Sequence, residues 1–504
     1  MLSRSAFNTF VIRHLDSLIA ACAGFFVLTF FTRYSGVGIS PDSIMYISGA
    51  RNLNAHKGFT YFGDKPLVAF PLFFPTFLGI LLFITGVDPV VMGPILTGVL
   101  FGIVIFLTGF ILERFTFPSK WYKWFILLAI VLSPSLLEIY SMLWSETLFI
   151  VWTLVFVIAF HHYIKTHSIG SLIIVAIVCA FACVTRYVGV TLIGTGGMLL
   201  LFDPQLKLKP KIGHILTFGL ISITLLVTNL IHNSLVTQTA TGPRYKSLTS
   251  LSENMHYVGT VFCDWFTLSP NQYNWAFTVT LVLVAGFVAA FLFHAFKKKN
   301  AYITYENIVI AFFVVYGLFM IVSATLNRYE RLNNRLLSPL FIPFIIGCSY
   351  WVVAFIKKQE VKVKRMFAVL SLGVALLFLY GEYHNDYLRY DDQGDYGTPG
   401  YTDDDWNKSD LIKLIKTHPQ MFNPQYPVYN NACEAFYFFT GKNSEYIPKP
   451  TEPKQLKAFD AKPHGYIVMF SKLPDPALLT IPQISQRKKL KALFLSEDGG
   501  IYEF

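Results

Sequence analysis

The sequence has few charged residues. Only 14% of its 504 residues are Asp, Glu, Lys or Arg, whereas 54% are hydrophobic. Ordinary soluble domains carry about 25% charged residues. The apolar residues fall in windows of about 17 to 25, the length that crosses the hydrocarbon core of a bilayer. The composition therefore excludes an ordinary soluble enzyme and predicts a polytopic α-helical membrane protein.

Cysteine is scarce, and several common motifs are missing. The chain has six cysteines, most of them inside apolar runs and without the spacing of a metal site, so we interpret them as packing residues. No glycine-rich phosphate-binding loop is present, which argues against nucleotide binding. We also detect no internal repeat of the kind that many transporters contain.

We interpret the net charge of +11 as an indication of how the chain is oriented in the membrane, and it does not predict a nucleic-acid partner. The basic residues cluster in short loops between apolar runs, as they do in cytoplasmic loops. This distribution places the N-terminus in the cytoplasm. The predicted location is the inner membrane of a bacterial cell, with a periplasmic active site.

Eleven apolar runs are predicted to cross the membrane, and interfacial helices are expected in the first outer loop. The runs lie near 15–34, 89–112, 124–140, 147–163, 169–184, 188–202, 213–232, 276–296, 304–325, 337–356 and 366–382. A further apolar segment, Leu67–Gly86, contains Pro71 and Pro75. We interpret it as interfacial or re-entrant, because the basic loops then all fall on the cytoplasmic side.

The composition changes after the last predicted span. We expect residues 1–382 to form a transmembrane catalytic domain and residues 383–408, rich in Tyr and Asp, to form a linker. Residues 409–504 alternate helical and strand-like segments and predict a small periplasmic α/β domain.

Asp42 is the first candidate catalytic residue, in the stretch SPDSIMY after the first span. Ser40 and Pro41 favour a helix start, so Asp42 falls in the first turn, where a carboxylate also stabilises the helix dipole. The alternative to helix capping is a general base at the membrane surface, with Tyr46 one turn further on the same face.

Further acids are expected on the same side of the membrane. Glu146 opens the fourth predicted span after a Ser145 cap and is the second candidate for acid/base work. Asp42 and Glu146 are also the ligands to consider if a divalent metal is used, although no cofactor is firmly indicated. Asp64 is a third acid there, with Lys65 beside it.

Basic residues at the outer ends of the spans are candidates for anion binding. In NRYERLNNR, the spacing of Arg328, Arg331 and Arg335 predicts one face of a helical turn that could hold a phosphate or diphosphate. Arg186 and Tyr187 occupy a break between two short apolar runs, where an arginine tends to be functional.

These residues lie in motifs that carry a family resemblance. In chain order they are SPDSIMYISGARNLNAHKGFTYFGDKPLVAFPLFFPTFLGILL, LWSETLF, VTRYVGV, NRLLSPLFIP and VYNNACEAFYFFTG. They resemble the C-type (GT-C) integral-membrane glycosyltransferases. Within that superfamily they are similar to the polyprenyl-phosphate-sugar-dependent protein O-mannosyltransferases and the lipid A aminoarabinose transferases.

The resemblance implies an enzyme that transfers a hexosyl or pentosyl group from a polyprenyl phosphate to an acceptor outside the cytoplasm. The acceptor would be a glycan, a lipid or a protein. Asp42 would be the catalytic acid of the first outer loop and Glu146 that of the next, with Arg335 and Lys65 near the donor phosphate. Many members have paired acids at the first site, whereas here Ser43 follows Asp42.

Two other classes remain as alternatives. A lipid or polysaccharide transporter or flippase would place ionisable residues near the bilayer midplane, whereas the acids of this chain gather toward one face. A lipid-linked polysaccharide polymerase or ligase shares the outer-face chemistry, but we would expect one large loop in place of the C-terminal α/β region.

Overall fold

The computed structural model describes residues 11–242, 244–268, 275–297, 299–328 and 330–504. These residues form two compact units. The first unit comprises the described residues of Met1–Arg33, Val68–Phe74 and Met92–Asp392, and the second comprises Tyr34–Leu67, Pro75–Val91 and Gln393–Phe504. The predicted boundaries at 382/383 and 408/409 stay a prediction.

Helices and the loops between them make up most of the described residues of the first unit. Its helices, some of which continue into the second unit, are α1 (Leu15–Phe31), α3 (Phe73–Thr85), α4 (Pro89–Leu112), α5 (Lys120–Val131), α6 (Pro134–Tyr140), α7 (Glu146–Thr166), α8 (Ile169–Thr185), α9 (Val190–Leu201), α10 (Leu208–Thr237), α11 (Leu251–Trp265), α12 (Ala276–Lys297), α13 (Lys299–Tyr302), α14 (Tyr305–Leu326), α15 (Asn334–Leu337), α16 (Phe341–Lys357) and α17 (Val361–Tyr396). Short 3₁₀ turns at Tyr187–Gly189 and Ser338–Leu340 precede α9 and α16.

The helices support a multi-pass membrane protein. In the described part of the chain, seven helices are long and apolar enough to cross a membrane, or eight if the bent pair α5 and α6 counts as one span. The other three predicted spans correspond to the shorter apolar helices α1, α8 and α9. The expected total of eleven crossings therefore stays a prediction.

The predicted span 124–140 is two helices bent by 52°. Ser133 begins the second helix, since its side chain accepts a hydrogen bond from the Leu136 N–H at 3.3 Å. Pro134 then occupies the first helical position, where its missing N–H costs nothing. The Ser-Pro pair thus explains a break that hydropathy alone does not show.

The second unit combines helices with a five-stranded sheet. Its helices are α2 (Pro41–Asn54), most of α3, the start of α4, α18 (Asp404–Asn407), α19 (Asp410–Thr417), α20 (Cys433–Thr440), α21 (Pro453–Asp460) and α22 (Ile481–Ser485). Its strands are β1 (Thr60–Tyr61), β2 (Lys65–Pro66), β3 (Val428–Asn430), β4 (Glu445–Tyr446), β5 (Tyr466–Phe470), β6 (Lys491–Ser496) and β7 (Gly499–Glu503).

The large sheet has the order β4-β3-β5-β7-β6. Strand β3 is parallel to β4 and β5, whereas β7 is antiparallel to β5 and β6. A hydrophobic core on this sheet includes Tyr429, Phe459, Ile467 and Ile484. The C-terminal α/β region predicted from the sequence is therefore present as a mixed sheet with helices.

The segment Leu67–Gly86 contains only one short helix. Helix α3 has 13 residues and spans about 20 Å at 1.5 Å per residue. A hydrocarbon core is about 30 Å thick. This length agrees with an interfacial or re-entrant segment.

Helices α11 and α12 of the first unit pack tightly at Gly259. An added Cβ there would lie 1.8 Å from the carbonyl oxygen of Ala276. Because that oxygen belongs to the backbone, Gly259→Ala forces the helices apart, and we expect it to lower the free energy of unfolding by about 1–3 kcal/mol. Gly286→Ala, where nothing lies within 4 Å, is the matched control and should leave the thermal unfolding midpoint unchanged or slightly higher. Equal midpoints for the two variants would contradict this packing.

Candidate active site

Glu146 is the centre of a buried ion-pair cluster in the first unit. It is the first residue of α7, and its side chain is 1% exposed. Its Oε1 accepts a hydrogen bond from Arg335 Nε at 2.7 Å. Its Oε2 pairs with Nη1 of Arg186. One carboxylate therefore holds two arginines that are distant in sequence.

The break between α8 and α9 positions Arg186. Helix α8 ends at Thr185, and Arg186 has extended backbone angles. The following turn packs so closely on α8 that a Cβ on Gly189 would lie 2.5 Å from the Ala182 carbonyl. Arg186 Nη1 also donates to Ser145 Oγ at 3.0 Å. Ser145 makes no side-chain cap on α7, so the expected Ser145 cap is wrong, because its hydroxyl binds this arginine.

Contacts of its own side chain and of the adjacent Asn334 hold Arg335 in place. Its guanidinium lies 4.2 Å from the centre of the Trp144 ring, a favourable cation–π distance. The adjacent Asn334 donates to Glu138 Oε2 at 2.9 Å and accepts from Trp265 Nε1 at 2.9 Å. The short helix that carries Arg335 is therefore tied to its surroundings by side-chain hydrogen bonds.

The cluster brings two guanidinium groups to one carboxylate. Two guanidinium groups, 16–17% exposed, share the buried Glu146 carboxylate. The additional acid near Arg335 is Glu330, at 3.9 Å and 48% exposed, where solvent weakens the interaction. Arginine presents a planar fork of donors that matches phosphate oxygens. The arrangement is therefore suited to binding an anion such as a phosphate.

Glu146 does not suit a divalent metal. Both of its oxygens already accept from guanidinium groups, and a metal ion there would face two positive charges. Among the described residues, no group of three or more His, Cys, Asp or Glu side chains could hold a metal. We therefore derive no catalytic step from a metal on Glu146.

Arg328 and Arg331 do not share a helical face with Arg335. Helix α15 begins only at Asn334, because the Asn333 side chain caps it by accepting from the Leu336 N–H at 3.1 Å. Asn327, just before Arg328, is extended and pairs with Lys246 in an isolated β-bridge. The predicted helical turn across 328–335 is therefore wrong. Both arginines are exposed, and their role in phosphate binding stays a prediction.

The Tyr187 hydroxyl makes hydrogen bonds that hold the turn after Arg186 in place. It donates to the Val68 carbonyl at 3.3 Å and accepts from Asn233 Nδ2 at 3.2 Å. These contacts join the turn after Arg186 to α10 and to residues 68–74 of the same unit. Tyr187 thus supports the position of Arg186, and its direct role at a site stays a prediction.

Asp42 lies in the second unit, in the first turn of α2 as the sequence predicted. Ser40 is the N-cap and forms a capping box with Ser43, and Pro41 is the first helical residue. Asp42 is half-buried, whereas Tyr46 on the same helix is 2% exposed. The local geometry is confirmed, and the catalytic role of Asp42 stays a prediction.

Lys65 and Asp64 follow a tight turn of the same unit. Asp64 forms an exposed ion pair with Lys57 at 3.0 Å, which favours a surface role for this acid. Gly63 and Asp64 both have positive φ, 75° and 52°, and Tyr61 pairs with Lys65 across the turn. No ion pair joins Lys65 to another described residue, and its place near the donor phosphate stays a prediction.

The motif VYNNACEAFYFFTG contains a further buried acid, Glu434, which the sequence pattern does not indicate. Glu434 is 6% exposed, and both of its oxygens lie 2.6 Å from the Tyr446 hydroxyl, which donates to the carboxylate. Burial raises the pKa of the neighbouring Cys433 thiol to about 12. Burial also raises the pKa of Tyr401, and the charges of Glu434 and Asp42 add to this effect. Tyr401 and Glu434 thus belong to the surroundings of Asp42.

We predict that Glu146→Gln destabilises the first unit strongly. The substitution removes the charge that two poorly exposed arginines share, and breaking a buried pair in this way costs about 3–5 kcal/mol. Thermal unfolding in lipid nanodiscs checks this expectation. Asp460→Asn is the control, because its ion pair with Arg487 lies outside the cluster and is 38–41% exposed, so its loss should cost about 1 kcal/mol or less. An equal loss of thermal stability in both variants would contradict the central role of Glu146.

Comparison with solved structures identifies the fold. ArnT from Cupriavidus metallidurans bound to undecaprenyl phosphate matches with a TM-score of 0.56 and 12% identity, over 98% of this chain and 98% of that chain. Its apo form matches with a TM-score of 0.56 and 12% identity, over 99% of this chain and 98% of that chain. A third match is AglB, an oligosaccharyltransferase from Archaeoglobus fulgidus in complex with an inhibitory peptide and a dolichol-phosphate. Its TM-score is 0.52 and its identity 10%, over 91% of this chain and 69% of that chain.

No protein-family model and no curated protein sequence matches the chain. At 10–12% identity the structural similarity establishes the fold alone. The resemblance that the sequence motifs indicated is confirmed at that level: the chain has the fold of the C-type (GT-C) integral-membrane glycosyltransferases.

Proposed function

We propose that this protein is a glycosyltransferase that moves a sugar from a polyprenyl-phosphate donor to an acceptor outside the cytoplasm. The observation that carries the proposal is the buried Arg186–Glu146–Arg335 cluster in a chain with the GT-C fold. Two solved proteins of this fold were determined with undecaprenyl phosphate or a dolichol-phosphate. Two guanidinium groups held at one place present planar donors that match the oxygens of a lipid phosphate.

The arginines act on the leaving group. When the bond between the anomeric carbon and the phosphate oxygen breaks, the electron pair stays on that oxygen and negative charge develops on the polyprenyl phosphate. Arg186 and Arg335 are held in place before the reaction, so they stabilise this charge without reorganising. Hydrogen-bond donors fixed in this way accelerate a reaction because they stabilise the charge that develops in its transition state. Lys65 supplies a further cation of the same kind.

Asp42 acts on the acceptor. Its carboxylate takes the proton of the acceptor hydroxyl while the oxygen forms a bond to the anomeric carbon. The products are the glycosylated acceptor and the polyprenyl phosphate, and the proton remains on Asp42 until it passes to solvent. The half-buried position at a helix start leaves this carboxylate accessible.

Glu146 acts through the arginines. Its two oxygens are occupied by Arg335 Nε and Arg186 Nη1, so it is a poor proton acceptor. We therefore assign Glu146 as a positioning residue and keep Asp42 as the base. This refines the earlier hypothesis that the two acids share the acid/base work.

We also propose the membrane in which the protein resides and the side on which each end of the chain lies. The chain would be a multi-pass protein of a bacterial inner membrane, with its N-terminus in the cytoplasm and its C-terminal region in the periplasm. The transferred group would be a hexosyl or pentosyl unit, and the acceptor a glycan, a lipid or a protein.

We predict that Asp42→Asn abolishes transfer. Loss of a general base lowers kcat by about 10²- to 10⁴-fold, whereas donor binding should be retained. The assay measures transfer from a panel of radiolabelled polyprenyl-phosphate sugars to extracted envelope acceptors by purified protein in nanodiscs. Asp410→Asn is the matched control, since Asp410 also begins a helix after a serine cap and is exposed. Full turnover in Asp42→Asn would return Asp42 to helix capping, and no turnover with any donor would favour a transporter.

We also predict that Arg335→Lys weakens donor binding. Lysine keeps the charge but cannot form the fork that contacts both Glu146 and a phosphate, so the Kd for undecaprenyl phosphate should rise by about 10-fold. Arg114→Lys is the control for exchanging an arginine for a lysine outside the cluster, since Arg114 follows α4 and pairs with Glu113 at 3.7 Å. An unchanged Kd in Arg335→Lys would remove this arginine from the phosphate site.

A further inference from the structure

Residues Gly397–Thr402 form a strap along the chain segment that leads into α2. The Thr398 N–H donates to Ser35 Oγ at 2.7 Å, and its hydroxyl donates to the Gly36 carbonyl at 2.8 Å. The Tyr401 N–H donates to the Ile39 carbonyl at 2.8 Å, and the Thr402 hydroxyl to the Val37 carbonyl at 3.1 Å. Four hydrogen bonds thus fix residues 35–39, immediately before the Ser40 cap.

Glycine at two positions permits this close approach. Gly397 has φ +80° and Gly400 has φ +109°, in the region that disfavours other residues. A Cβ on Gly400 would lie 2.4 Å from the Ile39 carbonyl oxygen. The strap can therefore lie directly on the backbone of residues 35–39.

Aromatic contacts join the strap to the sheet of the same unit. The Tyr401 ring, 3% exposed, meets the Trp406 ring edge-on at 5.0 Å. Trp406 in turn lies 5.6 Å from Phe470 at the end of β5. The start of α2 is therefore connected to the core of the C-terminal α/β region.

The same region holds the turn before Lys65. The Gly63 N–H donates to Asn443 Oδ1 at 2.8 Å. The Phe62 ring stacks on Tyr437 of α20 with centroids 5.3 Å apart. Asp64 has a positive φ of 52°, which for a residue other than glycine persists only where neighbouring contacts impose it.

We propose that the C-terminal α/β region is a positioning element for Asp42 and Lys65, acting through the strap on the first and through Asn443 and Tyr437 on the second. The inference rests on the proposed function, because it assigns a purpose to these contacts in the transfer reaction. The region sets the direction of the base and of one cation.

Paired variants separate positioning from folding. Thr398→Val with Thr402→Val removes two hydroxyl donors without changing side-chain volume much. Thr398→Ser with Thr402→Ser keeps both donors and is the rescue control. Each pair is compared in the full-length protein in nanodiscs for thermal unfolding, donor Kd, kcat and KM.

We expect the valine pair to lower kcat by about 10- to 100-fold, because a displacement of about 1 Å at a catalytic group has this effect. Donor Kd and the unfolding midpoint should change little, and the serine pair should restore kcat. A loss of kcat that serine does not restore, or one that follows the unfolding midpoint, would overturn the proposal. An unchanged kcat in the valine pair would overturn it as well.

Hydrogen–deuterium exchange gives a readout that needs no activity. The valine pair should increase exchange of the backbone amides of residues 40–46, whereas the serine pair should not. If the native protein transfers no sugar but this increase occurs, the strap holds α2 and the proposed function fails. If transfer occurs in the native protein but exchange at residues 40–46 is unchanged in the valine pair, the positioning role fails alone.

Discussion

The candidate site depends on one buried carboxylate that holds two arginines. Glu146 is almost fully buried, and burying an unpaired charge is prohibitively costly. Its pairing with Arg186 and Arg335 therefore constrains three separate parts of the first unit: the start of α7, the break between α8 and α9, and the short helix α15. The same pairing brings two guanidinium groups together, and we propose that they bind the lipid phosphate.

The roles that we propose for the two units differ. The first unit provides the arginine cluster through ion pairs between helices. The second provides Asp42 and Lys65, both in short segments that gain their geometry from the C-terminal region. A transferase that must stabilise a leaving phosphate and activate a hydroxyl needs both groups to be fixed before substrate binds, since preorganised groups cost nothing to arrange during the reaction.

Much of this could be predicted from sequence where the determinants are local. The apolar runs predicted the helices, and the Ser-Pro-Asp order predicted the start of α2, since capping involves residues within one turn. The break at Arg186 was visible between two apolar runs. The helical face for Arg328, Arg331 and Arg335 was wrong, because spacing alone does not show that Asn333 starts the helix later.

Contacts between distant residues could not be predicted. Glu146 and Arg335 are 189 positions apart, and neither residue carries a local signal of its partner. The strap falls in the predicted linker, and the sequence does not show it because three of its four hydrogen bonds go to backbone carbonyls, which any residue provides. Thr398 and Gly36, 362 positions apart, are an example. Glu434 was missed for a similar reason, as its burial comes from tertiary packing.

The most direct test of the account is the structure of the protein with undecaprenyl phosphate bound in a lipid nanodisc, by electron cryomicroscopy. The account predicts phosphate oxygens within hydrogen-bond distance of the Arg186 and Arg335 guanidinium groups, with Glu146 still between the two arginines. A phosphate bound elsewhere, with both arginines engaged only by protein groups, would contradict the central claim that this cluster receives the lipid phosphate.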